Sequence, residues 1–414
     1  MSAVAPVTIL RIVTRLNIGG PSIHVIALST RLDPARFATW LVVGEPDAAE
    51  GDLSPMAQQP PVRLLRVKTL GRPLRPWADL RTLIQLLRVA WIRHPRVIHT
   101  HMAKAGALGR LAGMLYNRIG PGRRPGQRAA LLHTFHGHVL DGYFSAWASR
   151  GFLLIERWLA KRTDVLIAVS QAVRDDLLKK GVGRAAQWRV IPLGLRLSAL
   201  EGLPPPNGST PLRVGQVGRL VPIKNSSMFL RALAQVRREE ATTAIQGLIV
   251  GDGPLRPALE QEARRLGLDR LVRFLGWQQD ARAIYAGLDV ACLTSWNEGT
   301  PVALIEAMAA ARPVIATDVG GIRDLLMEAG PRDAGIPPGA FHVAPRGILI
   351  RPGDPAGLAA ALRRLGADPA LRRSLGDAGR RFVTARFTEE RLVHDIQTLY
   401  GECMTRASEG AARA

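Results

Sequence analysis

The chain reads as an α/β protein with two doubly wound parallel sheets, and three observations predict this. Short apolar runs alternate with helical stretches along its whole length. The alternation breaks once, at a proline-rich segment, and then restarts. Glycine-bearing turns stand where several of the apolar runs give way to a helix. With 414 residues, 47% of them apolar, the chain can fill two cores of ordinary domain size.

In the first half, Val7–Thr14, Thr39–Gly44, Val62–Val67, Arg96–Thr100, Ala130–Phe135 and Val165–Val169 are the predicted strands. Between them Trp77–Arg93 predicts an amphipathic helix, with Trp77, Leu80, Leu83, Ile84, Leu87 and Trp91 as its apolar stripe. Leu203–Pro211 reads as a linker and hinge. Beyond it, Arg213–Val217, Ile245–Val250, Leu271–Phe274, Val290–Thr294, Val314–Ala316 and Ile348–Ile350 make the second set of strands. The Gly- and Pro-rich stretch 330–344 reads as a loop. The expected domains are residues 1–200 and 201–387, with 388–414 a C-terminal helix packing back on the first domain. Ligands of such sheets bind beyond the carboxyl ends of the strands, so the expected site is the cleft between two facing sheets.

Charge is unevenly divided. Residues 1–200 carry 29 Lys and Arg against 11 Asp and Glu, whereas residues 201–414 carry 27 against 23. The basic half implies an anionic partner: nucleic acid, an anionic membrane surface or an anionic substrate. No helix-turn-helix, RNP or zinc-finger pattern supports nucleic acid. Cys292 and Cys403 are far apart, which disfavours a disulfide framework or a thiolate zinc site and fits a reducing compartment. The first residues lack a basic n-region and a long apolar run, and the weakly charged 129–149 holds three His and Asp141. A cytoplasmic location is therefore expected.

The chemistry concentrates at strand ends. In SWNEGTPVALIE, Glu298 and Glu306 flank a predicted helix start, with Gly299 as a turn, Thr300 as N-cap and Pro301 as the first helical residue. A helix N-terminus suits an anion, and carboxylates beside one suit hydroxyl groups, so the pattern points to a nucleotide-sugar. Arg219 and Lys224 lie in one strand-to-helix loop, where a planar fork and a point charge can converge on a diphosphate. Gly19 and Gly20 open the first helix with no side chain to block phosphate, although the run is neither GxGxxG nor a Walker A loop. The turns 251–254 and 317–321 read as architectural. His99, His101, His133, His136 and His138 gather at strand ends of the first domain without the HExxH or carboxylate partners of a metal site. Of these, His136 is the functional candidate.

The runs NIGGPS, TFHGH, GRLVPIK, VGDGP and NEGTPVALIEAMAAARPVIATDVGG together resemble family 4 of the retaining glycosyltransferases, which have the GT-B fold, over nearly the whole chain. The resemblance implies a nucleotide-sugar held mostly by the second domain, no cofactor and no metal. By motif it assigns Arg219 and Lys224 to the donor diphosphate, Glu298 to donor-sugar hydroxyls and Glu306 to the ribose. Gly19, Gly20, Gly299, Thr300 and Pro301 fall among the donor-binding positions, and His136 beside the transferred sugar. One position departs from the pattern: Ala311 stands where relatives usually have Gly, so the helix before it is expected to end differently.

The acceptor expected with this resemblance is a glycan or a polyprenyl-linked sugar in cell-surface polysaccharide assembly. Arg72, Arg75, Arg81, Arg88 and Arg123-Arg124 would suit a membrane surface, and Tyr143, Phe144 and Trp147 would line an acceptor groove or pack as core. The competing readings are an epimerase of UDP-N-acetylglucosamine on the same scaffold, a basic nucleic-acid-binding protein and a sugar-binding protein without catalysis.

Overall fold

A computed structural model describes residues 5–17, 19–46, 51–71, 73–137, 146–206, 210–239, 244–328 and 335–412. The chain divides into two compact units, Met1–Leu195 with Glu389–Ala414, and Arg196–Thr388.

Unit 1 contains β1 (Val7–Val13), β2 (Phe37–Val43), β3 (Arg63–Arg66), β4 (Val97–His101), β5 (Ala130–Phe135), β6 (Val165–Ala168) and β7 (Trp188–Val190). They form one sheet in the order β3-β2-β1-β4-β5-β6-β7, parallel throughout. The helices of its first part are α1 (Gly20–Thr30), α2 (Ser54–Ala57), α3 (Pro76–Arg93), α4 (Ala103–Ile119), α5 (Ala146–Ala160) and α6 (Gln171–Lys179). Buried strands such as β6, VLIA, are continuously apolar because helices cover both faces. β7 was not predicted: its WRV is too short to stand out by periodicity.

Unit 2 contains the helices α7 (Ser198–Glu201), α8 (Ser226–Glu239), α9 (Arg256–Arg265), α10 (Ala281–Ala286), α11 (Val302–Ala309), α12 (Ile322–Leu326), α13 (Pro355–Ala367) and α14 (Pro369–Arg386). Its strands are β8 (Leu212–Val217), β9 (Ile245–Val250), β10 (Val272–Gly276), β11 (Val290–Leu293), β12 (Val314–Thr317), β13 (Phe341–Ala344) and β14 (Gly347–Ile350). Their order is β10-β9-β8-β11-β12-β14-β13, parallel except for the last pair. The end of the predicted 330–344 loop is thus strand β13, antiparallel to β14 across Pro345-Arg346. FHVA does not alternate between buried and exposed, so no period of two marks it as a strand.

The proline-rich stretch is not a free linker. Arg312 donates to the Pro204 carbonyl at 3.0 Å, and Arg380 donates to the Leu203 carbonyl. Both arginines belong to unit 2, so this segment is part of that unit, and the division falls earlier, between Leu195 and Arg196. The fixed backbone carbonyls of a Pro-rich run make good acceptors, which composition alone does not reveal.

α15 (Glu389–Ala412) packs on unit 1, touching α1 and β5. A buried polar chain fastens it: Arg11 donates to the Tyr400 hydroxyl at 2.8 Å, and that hydroxyl lies 2.7 Å from His99 Nδ1. His99 Nε2 in turn lies 2.7 Å from Thr134 Oγ1.

The predicted apolar stripe of α3 is split: Leu83 and Leu87 pack partly buried against the core, and the rest of it does not. Thr82, Leu86 and Ala90 are buried, while Trp77 is 80% exposed and Leu80, Ile84 and Trp91 are also exposed. Leu83, Leu86 and Leu87 fill the inner side with Ala90, and the two tryptophans, Leu80 and Ile84 turn outward.

Candidate functional site

In unit 2 the strand order reverses between β8 and β11, the switch point at which open α/β sheets leave a crevice beyond their carboxyl ends. The loops after those two strands carry Arg219, Lys224 and Glu298. Gly218 has φ 151, a conformation that glycine adopts freely, and a Cβ on Gly251 would fall 2.0 Å from the Gly218 carbonyl oxygen. The turn at 251–253 is therefore the floor against which the Arg219 loop is laid.

Lys224 is held from behind by buried polar groups. Thr294 Oγ1 at the end of β11 lies 3.0 Å from the carbonyls of Lys224 and Asn225, and Gln216 Nε2 of β8 donates to the Lys224 carbonyl at 3.2 Å. The Trp296 N–H donates to the Ile223 carbonyl at 2.9 Å. With its backbone fixed, Lys224 puts Nζ 2.5 Å from Glu298 Oε1. Ser295, completely buried, donates its hydroxyl to the same oxygen at 2.6 Å. Glu298 Oε2 has no side-chain donor among the described residues. Arg219 is half-buried, and its guanidinium has no side-chain partner among them either.

Glu298 is also clamped through its backbone. The Gly321 N–H donates to the Glu298 carbonyl at 3.0 Å, and a Cβ on Gly320 would sit 1.9 Å from that oxygen. Gly320 has φ 51, so both space and conformation call for glycine. The turn 317–321, expected to be architectural, thus positions a predicted site residue.

α11 begins one residue later than expected. Pro301 is its N-cap and Val302 its first residue, so Thr300 and Gly299 precede the cap, and Thr300 is not the capping residue. Glu306 lies just over one turn inside, where the Tyr285 hydroxyl of α10 stands 2.9 Å from its Oε2 and 2.9 Å from the Ala303 carbonyl. Burial raises the Glu306 carboxyl to about 6, against the Tyr285 hydrogen bond, which favours the charged form. Burial first, then the Glu306 charge, pushes the Tyr285 hydroxyl well above its ordinary range, so it stays a donor. Glu306 Oε1 has no protein donor among the described residues. Two carboxylates thus present one engaged and one open oxygen each.

Unit 1 has its own switch point, between β1 and β4. Gly19 caps α1 with φ 157, and the nearest atom to a Cβ there would be Pro21 Cδ, 3.9 Å away, so it is conformation rather than crowding that favours glycine. His136 directly follows β5, with Nε2 3.1 Å from His101 Nδ1, and its ring centroid is 4.9 Å from that of His24. Burial lowers His136 to about 4 and holds His24, His99, His101 and His133 well below the usual histidine range. All five are therefore neutral near pH 7. His24, His101 and His136 bring ligand atoms within 4.8 Å of one another, with no carboxylate in the group. His133 is a packed residue: its Nδ1 lies 2.8 Å from Thr100 Oγ1, and a Cβ on Gly106 would collide with its ring. His138, Arg72, Tyr143 and Phe144 and the side chain of Trp147 lie outside what is described.

Sequence reasoning singled out the charged residues and missed the groups that fix them. Gln216, Thr294, Ser295 and Tyr285 carry no motif, and their role depends on which strand ends become neighbours. The one available signal was polarity at the tail of an apolar strand, as in VACLTS.

Residues 11–194 match the family model for a glycosyl transferase 4-like domain, and residues 211–368 match that for glycosyl transferases group 1. Among curated proteins, the putative glycosyltransferase EpsD of Bacillus subtilis is 26% identical over 74% of this chain and 77% of its own length. An Escherichia coli UDP-Gal:alpha-D-GlcNAc-diphosphoundecaprenol alpha-1,3-galactosyltransferase is 28% identical over 63% of this chain and 67% of its own. Among solved structures, Anabaena HepE in complex with UDP superposes with a TM-score of 0.73 at 22% identity, over 95% of this chain and all of the other. The sucrose-phosphate synthase of Thermosynechococcus elongatus gives 0.76 at 23% identity, over 97% of this chain and all of the other. The two matched models, one in each unit, together with two parallel-sheet Rossmann-like units, make this chain a member of the GT-B glycosyltransferases.

Proposed function

We propose that the protein is a retaining, metal-independent glycosyltransferase of family 4 that moves a sugar from a UDP-sugar to a hydroxyl of a glycan or lipid-linked acceptor in cell-surface polysaccharide synthesis. The observation that carries this is the Lys224–Glu298 pair at the unit 2 switch point, with Arg219, which has no side-chain partner among the described residues, in the same loop as Lys224.

Arg219 and Lys224 bind the donor diphosphate. Its arrival gives Lys224 a second anion, and Glu298 turns its open oxygen to hydroxyls of the donor sugar. Glu306 accepts from the ribose hydroxyls, with Gly299, Thr300 and Pro301 forming the approach to α11. As the sugar–phosphate bond breaks, negative charge grows on the diphosphate, and two fixed cations stabilise it more than they stabilise the ground state. In front-face retention the departing phosphate oxygen takes the proton of the acceptor hydroxyl, which attacks on the same face. Gly19 and Gly20 offer backbone N–H groups to phosphate. Neutral His136 hydrogen-bonds the transferred sugar without adding charge.

UDP is the proposed nucleotide because it stands in the name of the Escherichia coli relative and in the HepE complex. A polyprenyl-diphosphate acceptor is favoured by the name of the Escherichia coli relative and by the basic first half of the chain. That charge also favours a peripheral position on the inner face of the cell membrane. The test is product analysis by NMR with an α-linked UDP-sugar, an acceptor and EDTA. An α-linked product supports retention without metal, and a β-linked one contradicts it. An altered sugar formed with no acceptor would make the epimerase reading correct instead.

A further inference from the structure

We propose that the outer surface of α3, α4 and α5 in unit 1 is a docking face for an anionic lipid bilayer, lying in the headgroup region rather than crossing it. The inference deepens the membrane side of the proposed function and rests on that reading for its purpose, though not for its geometry.

α4 packs between α3 and α5, so the three form one layer on the sheet. On α3, the side opposite buried Leu86 carries Trp77, Ile84 and Trp91 at seven-residue intervals, with exposed Arg81 and Arg88 between them. α5 repeats this arrangement: Leu154 is 64% exposed, Ile155 and Trp158 are exposed as well, and the Arg162 guanidinium lies 4.2 Å over the Trp158 ring. Soluble helices put large apolar residues inward, whereas these put them outward together with arginine. That composition matches a helix lying in a membrane interface.

The acids settle the sign of the partner. The three helices contain two carboxylates, Asp79 and Glu156. Asp79 is paired with Lys104, and both Glu156 oxygens take hydrogen bonds from buried Arg110, at 2.6 and 2.8 Å. Both cations come from α4, so the inner sides of the layer consume its acids and leave the outer side cationic. Indole rings and aliphatic side chains set among arginines complement anionic headgroups above an acyl boundary. No helix among the described residues is long and apolar enough to cross a membrane.

The test is sedimentation of the full chain with vesicles of phosphatidylglycerol and phosphatidylcholine, or of phosphatidylcholine alone, at low and high salt. Retention is expected on the anionic vesicles, weakening with salt. Arg81→Gln with Arg88→Gln should weaken it roughly tenfold to thirtyfold. Trp77→Ser with Ile84→Ser, and separately Trp158→Ser, should weaken it at constant charge. Arg264→Gln with Arg265→Gln, exposed on α9 of unit 2, should leave it unchanged. Thermal midpoints of the variants check that each is folded. Equal retention on neutral vesicles, no retention of the wild type, or wild-type retention by all α3 and α5 variants would overturn the proposal. So would a concentration-dependent oligomer that the same substitutions dissolve, since a second copy would then cover the face. UDP titration of the same samples separates the two readings: a wild type that sediments with anionic vesicles yet takes no UDP refutes the UDP-sugar donor and keeps the docking face.

Discussion

Glu298 and Glu306 are both carboxylates with one open oxygen, yet their surroundings give them different tasks. Glu298 is charge-paired with Lys224 at 2.5 Å and is the residue assigned to the reacting sugar. Glu298→Ala should lower kcat by about a hundredfold or more, the cost typical of a lost transition-state contact. Glu306→Ala should act mainly on donor affinity, and steady-state kinetics with separate kcat and KM values checks the contrast. Equal losses for both would undo the division of roles. Glu306, raised to about 6 by burial, also predicts a pH dependence. Ribose hydroxyls bind the charged carboxylate better than the neutral acid, so donor affinity should fall as pH drops through about 6. Glu306→Gln should flatten that fall in calorimetric titrations.

At the scale of elements, α11 ends in a Schellman motif. The Arg312 N–H reaches the Ala307 carbonyl at 2.8 Å and the Ala311 N–H reaches that of Met308 at 2.9 Å. Ala311 takes the left-handed turn this needs, at φ 54 and fully buried. The expectation of a different helix end was therefore wrong: packing holds the usual ending against the preference of alanine. Ala311→Gly should raise stability by no more than about 1 kcal/mol, relief of strain being partly offset by backbone entropy and a lost methyl. The α3 helix teaches the complementary lesson. Its period was legible, but the stripe spans two sides: Leu83 and Leu87 pack inward while Trp77, Leu80, Ile84 and Trp91 turn outward, and only packing decides which. Strands were legible where apolar runs were long, as in Ile245–Val250, and illegible where they were three or four residues beside Pro or Gly, as in β7 and β13. The site charges were legible from motif, while Gln216, Thr294, Ser295 and Tyr285 were not, because a hydrogen bond between strand ends is invisible until the strand order is known.

At the scale of the whole molecule, five buried histidines make unit 1 sensitive to acid. Their folded-state affinities for protons lie below those of the unfolded chain, so their contribution to stability is present above about pH 6.5 and is lost as pH falls. Each histidine can add up to about 1.4 kcal/mol per pH unit to that slope. Glu306 acts in the opposite sense, because its raised affinity stabilises the acid form and that contribution is lost as pH rises through about 6. Histidines outnumber it, so net stability should decrease from pH 7 to pH 5, which denaturant titrations across that range measure. The measurement nearest the central claim is a calorimetric titration of UDP-sugar, in EDTA, into the wild type and into Arg219→Ala. Saturable binding by the wild type is expected, unchanged by EDTA and weakened at least tenfold, about 1.4 kcal/mol, by Arg219→Ala. Binding equally tight in both proteins, or none to the wild type without added metal, would contradict it.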